Sequence, residues 1–424
     1  MADATVRERL NAETASLRLS NLDAYLGRYR AGEFPFPKDS GNVNNHIHTT
    51  YSFSPYSPTL AATLAWENGL RTAGIMDHDS VSGAEEFIKA GEMLGIATTV
   101  GMECRVSMYD TPFSDRRINN PDQNGIAYVA MHGIPHDRLK EVEEFIRPYL
   151  LHRHERNRQM VALLNRELVP LDVELDYERD ILPLSQAHEG GSVTERHLLF
   201  AFAREVLCAS PNVVSVLEDT LGLTLSDKQR ALLSDKTNPY LEYDLLGVLK
   251  SSLIERIYVP AFDECPPLDE WVAFCHHVGA IPAYAYLGDV GDSVTGDKKT
   301  QKFEDDYLDE LVAYLKDAGV SAITYMPTRN TAPQLERIRA LCKKHGLFEI
   351  SGEDINSPRQ SFQNPLVASP PFAHLVEATW ALIGHEWHAT QTGEGLFTKD
   401  TTALSERITF FADWARNQFK EETK

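Results

Sequence analysis

The sequence predicts an α/β fold in which short buried strands alternate with helices. Two observations carry this prediction: apolar runs of strand length recur along the chain, and helical stretches lie between most of them. Several of the runs are almost continuously apolar, which is typical of parallel strands buried on both faces. Such an alternation indicates a right-handed βαβ series, arranged either as an open sheet or as a barrel.

The predicted strands fall into two groups, separated by a long helical stretch. The first four are Asn42–His48, Thr72–Asp77, Ala97–Val106 and Gly125–His132, and the last three are Ala280–Tyr286, Ser321–Met326 and Leu347–Asp354. The predicted helices between strands are Thr59–Asn68, Val81–Leu94, Leu268–Val278, Glu304–Ala318 and Ala332–His345. We expect the two groups to form one core, over residues 39–136 and 257–400.

Three further segments flank or interrupt this core. Residues 137–256 begin with a charged helix and contain no strand of comparable quality, so they are predicted to form a helical insertion. Residues 1–38 are predicted to form one amphipathic helix followed by a proline-containing linker. Residues 401–424 are predicted to form a C-terminal helix.

Composition narrows the classes of partner. The chain has 41 Lys plus Arg against 62 Asp plus Glu, a net charge of −21, which opposes binding to long nucleic acids and to anionic membranes. The amino-terminal segment lacks the apolar core of a signal peptide, and no apolar run reaches the length of a membrane span. The 5 cysteines form no C-x-x-C pair. We therefore expect a cytoplasmic protein with reduced cysteines.

Polar residues of the kinds that bind metals stand at the ends of the predicted strands. They are His46 and His48 on the first strand, Asp77 and His78 after the second, Glu103 on the third, His132 on the fourth and Asp354 on the last. In a βα barrel the carboxyl ends of the strands converge on one face, where active sites lie. This distribution therefore predicts a functional site on that face.

The His46-x-His48 pair has a geometry suited to a single ion. Side-chain direction repeats at every second residue of a strand, so both imidazole rings point to the same side. A lone H-x-H is more often a surface or core feature than a metal site. Ligand-type residues at the ends of several unrelated strands are much harder to explain without a metal, and we interpret the set as a metal centre.

The same motifs resemble the polymerase and histidinol phosphatase (PHP) superfamily of metal-dependent phosphoesterases. The matching segments, in order, are HIHTTYSFSP (His46–Pro55), GIMDHDSVSG (Gly74–Gly83), GMECRV (Gly101–Val106), YVAMHGI, VTERHLL (Val193–Leu199) and GEDIN (Gly352–Asn356). The resemblance covers roughly residues 42–200 and 268–360. It implies a distorted seven-stranded (β/α)7 TIM-like barrel with a helical insertion.

The resemblance also implies a set of metal ligands. A first divalent ion, zinc, iron or manganese, would be held by His46, His48, Glu103 and Asp354. A second would share Glu103 and add His132 and His197. A third would use His78, the last residue of the closing motif and a residue of the loop after the first motif.

The departures from the family pattern fall on the third site. The closing motif ends in Asn356, and the loop Ser52–Pro58 offers only serine and tyrosine. Amide and hydroxyl oxygens bind transition metals more weakly than imidazole or carboxylate. We therefore expect two divalent ions and a third site that is weak or absent.

Several residues are candidates for catalytic or substrate-binding roles next to the metal ions. Asp77 and Asp79 flank His78, and either could orient a ring or relay a proton, although Asp79 could equally cap the following helix. Tyr284 and Tyr286 stand where the family has an Ala-His-Pro segment, and either could donate to an oxyanion or simply fill the barrel. The candidate cations for phosphate are Arg105, Arg196, Arg329 and Arg359.

The expected function is hydrolysis of a small anionic substrate, a phosphate ester, by a water bound between two metals. Two alternatives stay open: hydrolysis of a carbon-centred bond such as an amide or lactone, and a degenerate scaffold that binds metal without catalysis. His385 and His388 have the spacing of a helical metal pair but no companion carboxylates, so we expect them to lie outside the site.

Overall fold

The computed structural model describes residues 4–290, 301–398 and 402–422. Its sheet contains seven strands whose spatial order is the same as their order in the sequence. The strands are β1 (Asn44–Ile47), β2 (Thr72–His78), β3 (Ala97–Ser107), β4 (Ile126–His132), β5 (Ile281–Ala285), β6 (Ala322–Tyr325) and β7 (Phe348–Ser351). The seven-stranded α/β fold predicted from the sequence is confirmed: the sheet curls into a half-barrel, in agreement with the distorted barrel that the resemblance implies.

Helices surround this sheet and form the rest of the described chain. In order they are α1 (Ala4–Leu10), α2 (Ala15–Arg30), α3 (Pro58–Glu67), α4 (Ala84–Leu94), α5 (Leu139–Leu168), α6 (Glu195–Ala209), α7 (Val213–Ser215), α8 (Asp227–Ser234), α9 (Leu241–Ile257), α10 (Leu268–Val278), α11 (Leu308–Asp317), α12 (Ala332–His345), α13 (Ala373–Thr392) and α14 (Leu404–Glu422). Short 3-10 and π turns join several of them. Among the described residues no single helix is long and apolar enough to cross a membrane. The helix α6 and the segment Val213–Thr220, which meet at a bend of 115°, have the required length and apolar composition only when they are taken together.

One strand departs from the predicted βαβ series. The pairs β1–β2, β2–β3, β5–β6 and β6–β7 are parallel, but β4 is antiparallel to both of its neighbours. A parallel connection needs a crossover, usually a helix, and residues 108–125 contain none, so the chain turns back on itself after β3. The carboxyl end of β4 therefore lies at the level of Gly101, two residues below Glu103.

The two edges of the sheet meet at a seam next to the strand ends. Ile355, just beyond β7, forms an isolated parallel bridge with Ile47 of β1. The amide of His48 donates to the carbonyl of Ile355 at 2.9 Å, and the amide of Ile355 donates to the carbonyl of His46 at 3.1 Å. These two bonds curl the sheet toward closure and hold the ends of β1 and β7 together.

A helix fills the concave side of the sheet. Ala130, Ala283 and Ala322 of the strands belong to the same buried cluster as Ala381 and Leu382 of α13. Alanine leaves room for a helix to approach the strands closely, and the apolar contact removes both surfaces from water. This helix was not predicted from the sequence, and it anchors the β1 strand as well, since Asn45 donates its amide to the Thr379 hydroxyl at 2.8 Å.

The insertion between β4 and β5 has a core of its own. Helices α5, α6 and α9 contribute most of a second buried cluster, which Phe53 joins from the loop after β1. Phe53 lies edge-on to the ring of His197 in α6, with centroids 5.0 Å apart. The insertion therefore packs directly over the loop that follows the His-x-His pair. The domain boundaries themselves stay a prediction, and residues 1–3, 291–300, 399–401 and 423–424 of those segments lie outside the described residues.

The amino-terminal segment is two helices, so the prediction of a single amphipathic helix is wrong. The chain breaks between α1 and α2, where the hydroxyl of Thr14 accepts the amide of Leu17 and caps α2. Arg18 of α2 then forms a buried ion pair with Glu86 of α4, at 2.5 Å. The break turns Arg18 toward the barrel, where Glu86 also accepts the Thr59 hydroxyl.

A buried ionic network joins the insertion to the barrel. Its centre is Glu264, only 3% exposed, which pairs with Arg105 of β3 and with Arg153 and Arg156 of α5, the latter two at 3.3 and 3.4 Å. Although burial opposes its charged form, the surrounding guanidinium groups, Arg105 first, hold the pKa of Glu264 below its ordinary value. One carboxylate therefore fixes three cations that come from two parts of the fold.

We expect Glu264→Ala to lower the free energy of unfolding by ~3–5 kcal/mol, because it removes the one buried carboxylate that Arg105, Arg153 and Arg156 share and leaves their charge only partly compensated. Urea denaturation followed by circular dichroism measures the change. The exposed neighbour Asp263 supplies the matched control, since Asp263→Ala should change stability by less than ~0.5 kcal/mol. Equal effects of the two substitutions would contradict a structural role for the network.

The depressed pKa of Glu264 gives this contribution a pH dependence with a defined sign. Its stabilisation is complete above the ordinary carboxyl pKa of 4.5 and is lost as the pH falls through the lower pKa of the folded state. We expect the difference in unfolding free energy between the wild type and Glu264→Ala to shrink as the pH falls from 4.5 through the lower pKa of the folded state. Urea denaturation at several pH values measures it.

Candidate metal centre

Three side chains from β1 and β3 converge on one buried point. The Nε2 atoms of His46 and His48 lie 3.2 Å apart, and Oε2 of Glu103 lies 3.6 Å from the first and 3.9 Å from the second. All three ligand atoms are within 4.8 Å of one another, which makes this a candidate site for a metal ion. Two imidazole nitrogens and a carboxylate oxygen this close together are a suitable donor set for a metal cation.

The seam between β1 and β7 adds a fourth oxygen. Oδ1 of Asp354 lies 3.2 Å from Nε2 of His48, and Asp354 immediately precedes Ile355, whose backbone is bonded to both histidines. The Asp354 side chain is 39% exposed, whereas that of His48 is fully buried. The candidate site is therefore reached from the side of Asp354.

A hydrogen-bond relay orients His48. Asp77 accepts the amide and hydroxyl of Thr49 and the hydroxyl of Ser52, each at 2.6 Å. Because the Ser52 proton is given to Asp77, its oxygen is left to accept from Nδ1 of His48, 3.3 Å away. The ring then carries its proton on Nδ1 and presents the Nε2 lone pair to the site, which is the usual arrangement of a metal-binding histidine.

His78 lies against the same carboxylate from β2. Its Nδ1 is 3.2 Å from Oε2 of Glu103, and its ring centroid is 4.6 Å from that of His48. Burial lowers the pKa of His78 to about 3, so the ring is neutral at physiological pH. Asn356, the other side chain predicted for a third metal, donates its amide to Oδ1 of Asp354 at 2.6 Å. In this arrangement Asn356 offers a proton rather than a lone pair and positions Asp354.

His132 reaches the interior from the antiparallel strand. It pairs with Gly101 of β3, two residues from Glu103, so both side chains are on the same face of the sheet. Burial, with the neighbouring His46, lowers its pKa to about 3. Its Nε2 has no hydrogen-bond partner among the described residues. A buried neutral imidazole with a free nitrogen beside a carboxylate fits a metal ligand.

His197 is held differently. It is the third residue of α6 and part of a capping box, in which its Nδ1 accepts the backbone amide of Thr194 at 3.0 Å. A neutral ring that accepts at Nδ1 carries its proton on Nε2, and so has no lone pair to offer there. Burial lowers its pKa to about 3. The structure therefore does not bring His197 into the cluster formed by His46, His48 and Glu103.

The carboxylates and histidines of the cluster stabilise each other's charge. Despite burial, which opposes ionisation, His46 and His78 bring the pKa of Glu103 to about 2. Burial also opposes the ionisation of Asp354, but His48 outweighs it and holds the pKa of Asp354 well below its ordinary range. For His46 burial lowers the pKa, but the Glu103 carboxylate outweighs it and raises the net value. Both acids are thus ready to bind a cation at neutral pH.

The four arginines predicted to bind phosphate differ in the partners that they contact. Arg105 forms ion pairs with Glu264 and with Glu195, the latter at 3.3 Å. Arg359 forms an ion pair with Asp244 of α9 at 2.6 Å. Arg329 donates to the carbonyl of Leu287 at 3.4 Å. Arg196 alone lines a cavity beside His78 without such a partner among the described residues.

The remaining candidates are structural in this arrangement. The hydroxyl of Tyr286 donates to Asp305 at 2.7 Å and that of Tyr284 donates to Glu304 at 3.0 Å, so both brace the segment after β5. Asp79 pairs with Arg153 of α5. Of the two alternatives left open for it, capping of the next helix does not occur, because Gly83 precedes α4 without a side-chain cap.

His385 lies apart from the cluster, as expected from its sequence context. It is buried in α13, with Nε2 3.1 Å from the carbonyl of Gly133. His388, on the same helix, has its Nδ1 2.5 Å from the carbonyl of Glu394. Both rings therefore hold the α13 region in place.

Sequence reasoning missed the residues that support the ligands. Ser52 was considered only as a metal ligand, and its position directly after the H-x-H-T motif was the available signal for a hydrogen-bonding role. Lys250 of α9, which lines the cavity beside His78, belongs to no motif at all.

Comparison with known proteins agrees with this geometry. Residues 44–240 match the family model of the PHP domain, whereas no curated protein sequence matches the chain. A "putative metal-dependent phosphoesterase" from Bifidobacterium adolescentis has a similar fold, with a TM-score of 0.51 and 17% identity over 81% of this chain and 97% of that chain. An amidohydrolase from Chromobacterium violaceum, solved with bound sulfate and no metal, gives a TM-score of 0.48 and 18% identity over 80% of this chain and 96% of that chain.

The matched segment includes the three side chains that converge on one point, and the sheet around them is completed by strands that follow the segment. Residues 44–240 are therefore similar to a PHP domain, and His46, His48 and Glu103 form the candidate metal site within that segment.

Proposed function

We propose that this protein is a metal-dependent phosphoesterase that hydrolyses a small phosphorylated molecule. The observation that carries the proposal is the convergence of His46, His48 and Glu103 on one buried point, with Asp354 at its open side. The PHP domain supports metal-dependent hydrolysis, and the structure from Bifidobacterium adolescentis, which shares the fold, is named for action on phosphoesters.

The residues present suit a divalent transition metal. Imidazole nitrogen combined with carboxylate oxygen is a donor set for zinc, iron or manganese. Divalent ions held there would supply charge neutralisation at a phosphate and a water of lowered pKa as the nucleophile. The chain contributes the orientation of that chemistry: the Asp77–Ser52–His48 relay fixes one ring, and Asn356 fixes the carboxylate of Asp354.

We propose a second ion that shares Glu103 and is held by His132. The free Nε2 of His132 supports this assignment, since a buried nitrogen without a partner is costly unless something binds it. His197 completes the second site only if its proton moves to Nδ1 and the hydrogen bond from Thr194 is lost. The third site stays weak, because the amide oxygen of Asn356 binds a transition metal less strongly than an imidazole or a carboxylate does.

Metal analysis and substrate assays test the proposal together. We expect the full chain to bind at least one transition ion and to release inorganic phosphate from small phosphate esters, with activity lost on chelation and restored by added metal. A chain that binds less than one ion would overturn the enzyme hypothesis. Turnover of lactones or amides with none of phosphate esters would replace it with hydrolysis of a carbon-centred bond.

Removal of either ring of the His-x-His pair is expected to empty the site. His48→Ala should lower the bound metal per chain and reduce phosphatase activity by at least ~100-fold, because one ligand and the tautomer relay are lost together. Elemental analysis and initial rates measure the two effects. His188, which is exposed, provides the control, and His188→Ala should leave both unchanged. A His48 variant with full metal content would contradict the assignment.

The relay through Ser52 makes a subtler prediction. Ser52→Ala removes the acceptor for Nδ1 of His48 and should weaken metal affinity by ~10–100-fold without removing a ligand. Ser54 is a matched control two residues away, because its buried hydroxyl has no hydrogen-bond partner among the described residues. Competition with a chelating dye measures affinity in both variants. Equal affinities of the Ser52→Ala and Ser54→Ala proteins would rule out the relay.

A further inference from the structure

A small cavity lies beside the candidate metal centre, between the barrel and the insertion. It has a volume of about 50 Å³ and is lined by His78 from β2, Thr194 and Arg196 at the start of α6, and Lys250 from α9. A cavity of about 10–15 Å³ on this measure holds one water, so this one has room for a small polyatomic group such as an oxyanion. His78 is the wall that it shares with the metal centre; His46 and His48 do not line it.

The cations of this cavity divide into two kinds. Arg105 and Arg153 are already neutralised, Arg105 by Glu264 and Glu195 and Arg153 by Glu264 and Asp79. Arg196 and Lys250, by contrast, form neither a hydrogen bond nor an ion pair with any residue in the described part of the chain. Both are only partly buried, so they can meet a ligand that enters the cavity.

These two cations repel each other where they stand. The guanidinium of Arg196, more than burial, lowers the pKa of Lys250, and it does so although Asp122, Glu195 and Asp354 act in the opposite direction. Holding two like charges together at a partly buried place costs free energy that no described anion fully offsets. An incoming anion would remove this repulsion, which is the arrangement expected of an anion-binding site rather than of a structural pair.

The helix that carries Arg196 adds to the same field. Arg196 is the second residue of α6, and the amino end of a helix concentrates partial positive charge. Lys250 comes from α9, which packs against α6 in the core of the insertion. The insertion therefore supplies both of these cations to a cavity that His78 of the barrel also lines.

We propose that Arg196 and Lys250 form an oxyanion subsite that binds a second anionic group of the substrate. The inference rests on the proposed function, in which the metal centre binds the ester phosphate that is hydrolysed. The substrate would then carry two anionic groups, an ester phosphate and a further phosphate or carboxylate on the other side of His78. Both cations come from the insertion, and Lys250 lies beyond the segment matched by the PHP domain.

Binding of simple anions to the full chain tests the subsite independently of catalysis. Isothermal titration calorimetry with inorganic phosphate and with acetate is performed before and after treatment with a chelator, so that an anion bound to metal is distinguished from one bound to the side chains. We expect phosphate or acetate binding to survive chelation and to weaken at least about tenfold in Arg196→Gln and Lys250→Gln. The tighter of the two probes identifies the second group as phosphate or carboxylate.

Three comparisons keep the test decisive. Lys250→Arg should retain binding, since it preserves the charge, and Lys236→Gln, an exposed lysine of the insertion, should bind like the wild type. Thermal melting of each variant establishes that it is folded. No anion binding after chelation, or equal binding by the wild type and Lys250→Gln, would overturn the subsite while leaving the metal-dependent hydrolase intact.

Kinetics provide the second readout. With phosphate esters that carry a second anionic group, Lys250→Gln should raise KM at least about tenfold, and with singly charged esters it should leave KM unchanged. If both kinds of ester show the same ratio of KM values between variant and wild type, the proposal is wrong. Absence of turnover with every ester would fail the proposed function instead, and the calorimetry would still decide the subsite.

Discussion

The arrangement of the site depends on the seam where the two edges of the sheet meet. Two backbone hydrogen bonds from Ile355 reach His46 and His48, and Asp354 is the residue just before it. Without that pairing, Asp354 would be a solvated acid more than 300 residues away along the chain from the histidines. The seam converts a separation in sequence into a 3.2 Å contact between Asp354 and His48. It also fixes the curl of the sheet, so that β3 places Glu103 opposite the same histidines.

The strands and the residues of the candidate site could be predicted from the sequence, because buried parallel strands are almost continuously apolar. All seven runs identified that way are strands, and the three residues of the candidate site lie on two of them. The direction of β4 was not legible, since it depends on whether the connection before it contains a helix and not on the strand itself. The break at residues 11–14 was missed for a related reason: only four residues, ending in the cap Thr14, interrupt a periodicity that continues on both sides.

The details that decide the chemistry were the least accessible. Ser52, Asp77 and His48 are close in space because a tight loop returns to the end of β2, and no periodic pattern encodes such a loop. Likewise Arg105 and Arg196 look alike as sequence, yet one is surrounded by carboxylates and the other is not. The net charge of −21 describes the whole surface, whereas the field beside His78 is set by a few cations that the insertion holds.

The helix α13 has a consequence for the order in which the molecule assembles. It fills the concave face of the sheet, but it is made of residues 373–392, after all seven strands. During synthesis the strands leave the ribosome before the helix that covers their inner surface, and domains in general form from the amino end. The alanine-lined face of the sheet is therefore exposed on the nascent chain until the last tenth of the protein is being made. The same face carries Met76, Ile281, Phe348 and Ile350, so it is an apolar surface open to unwanted association until α13 covers it.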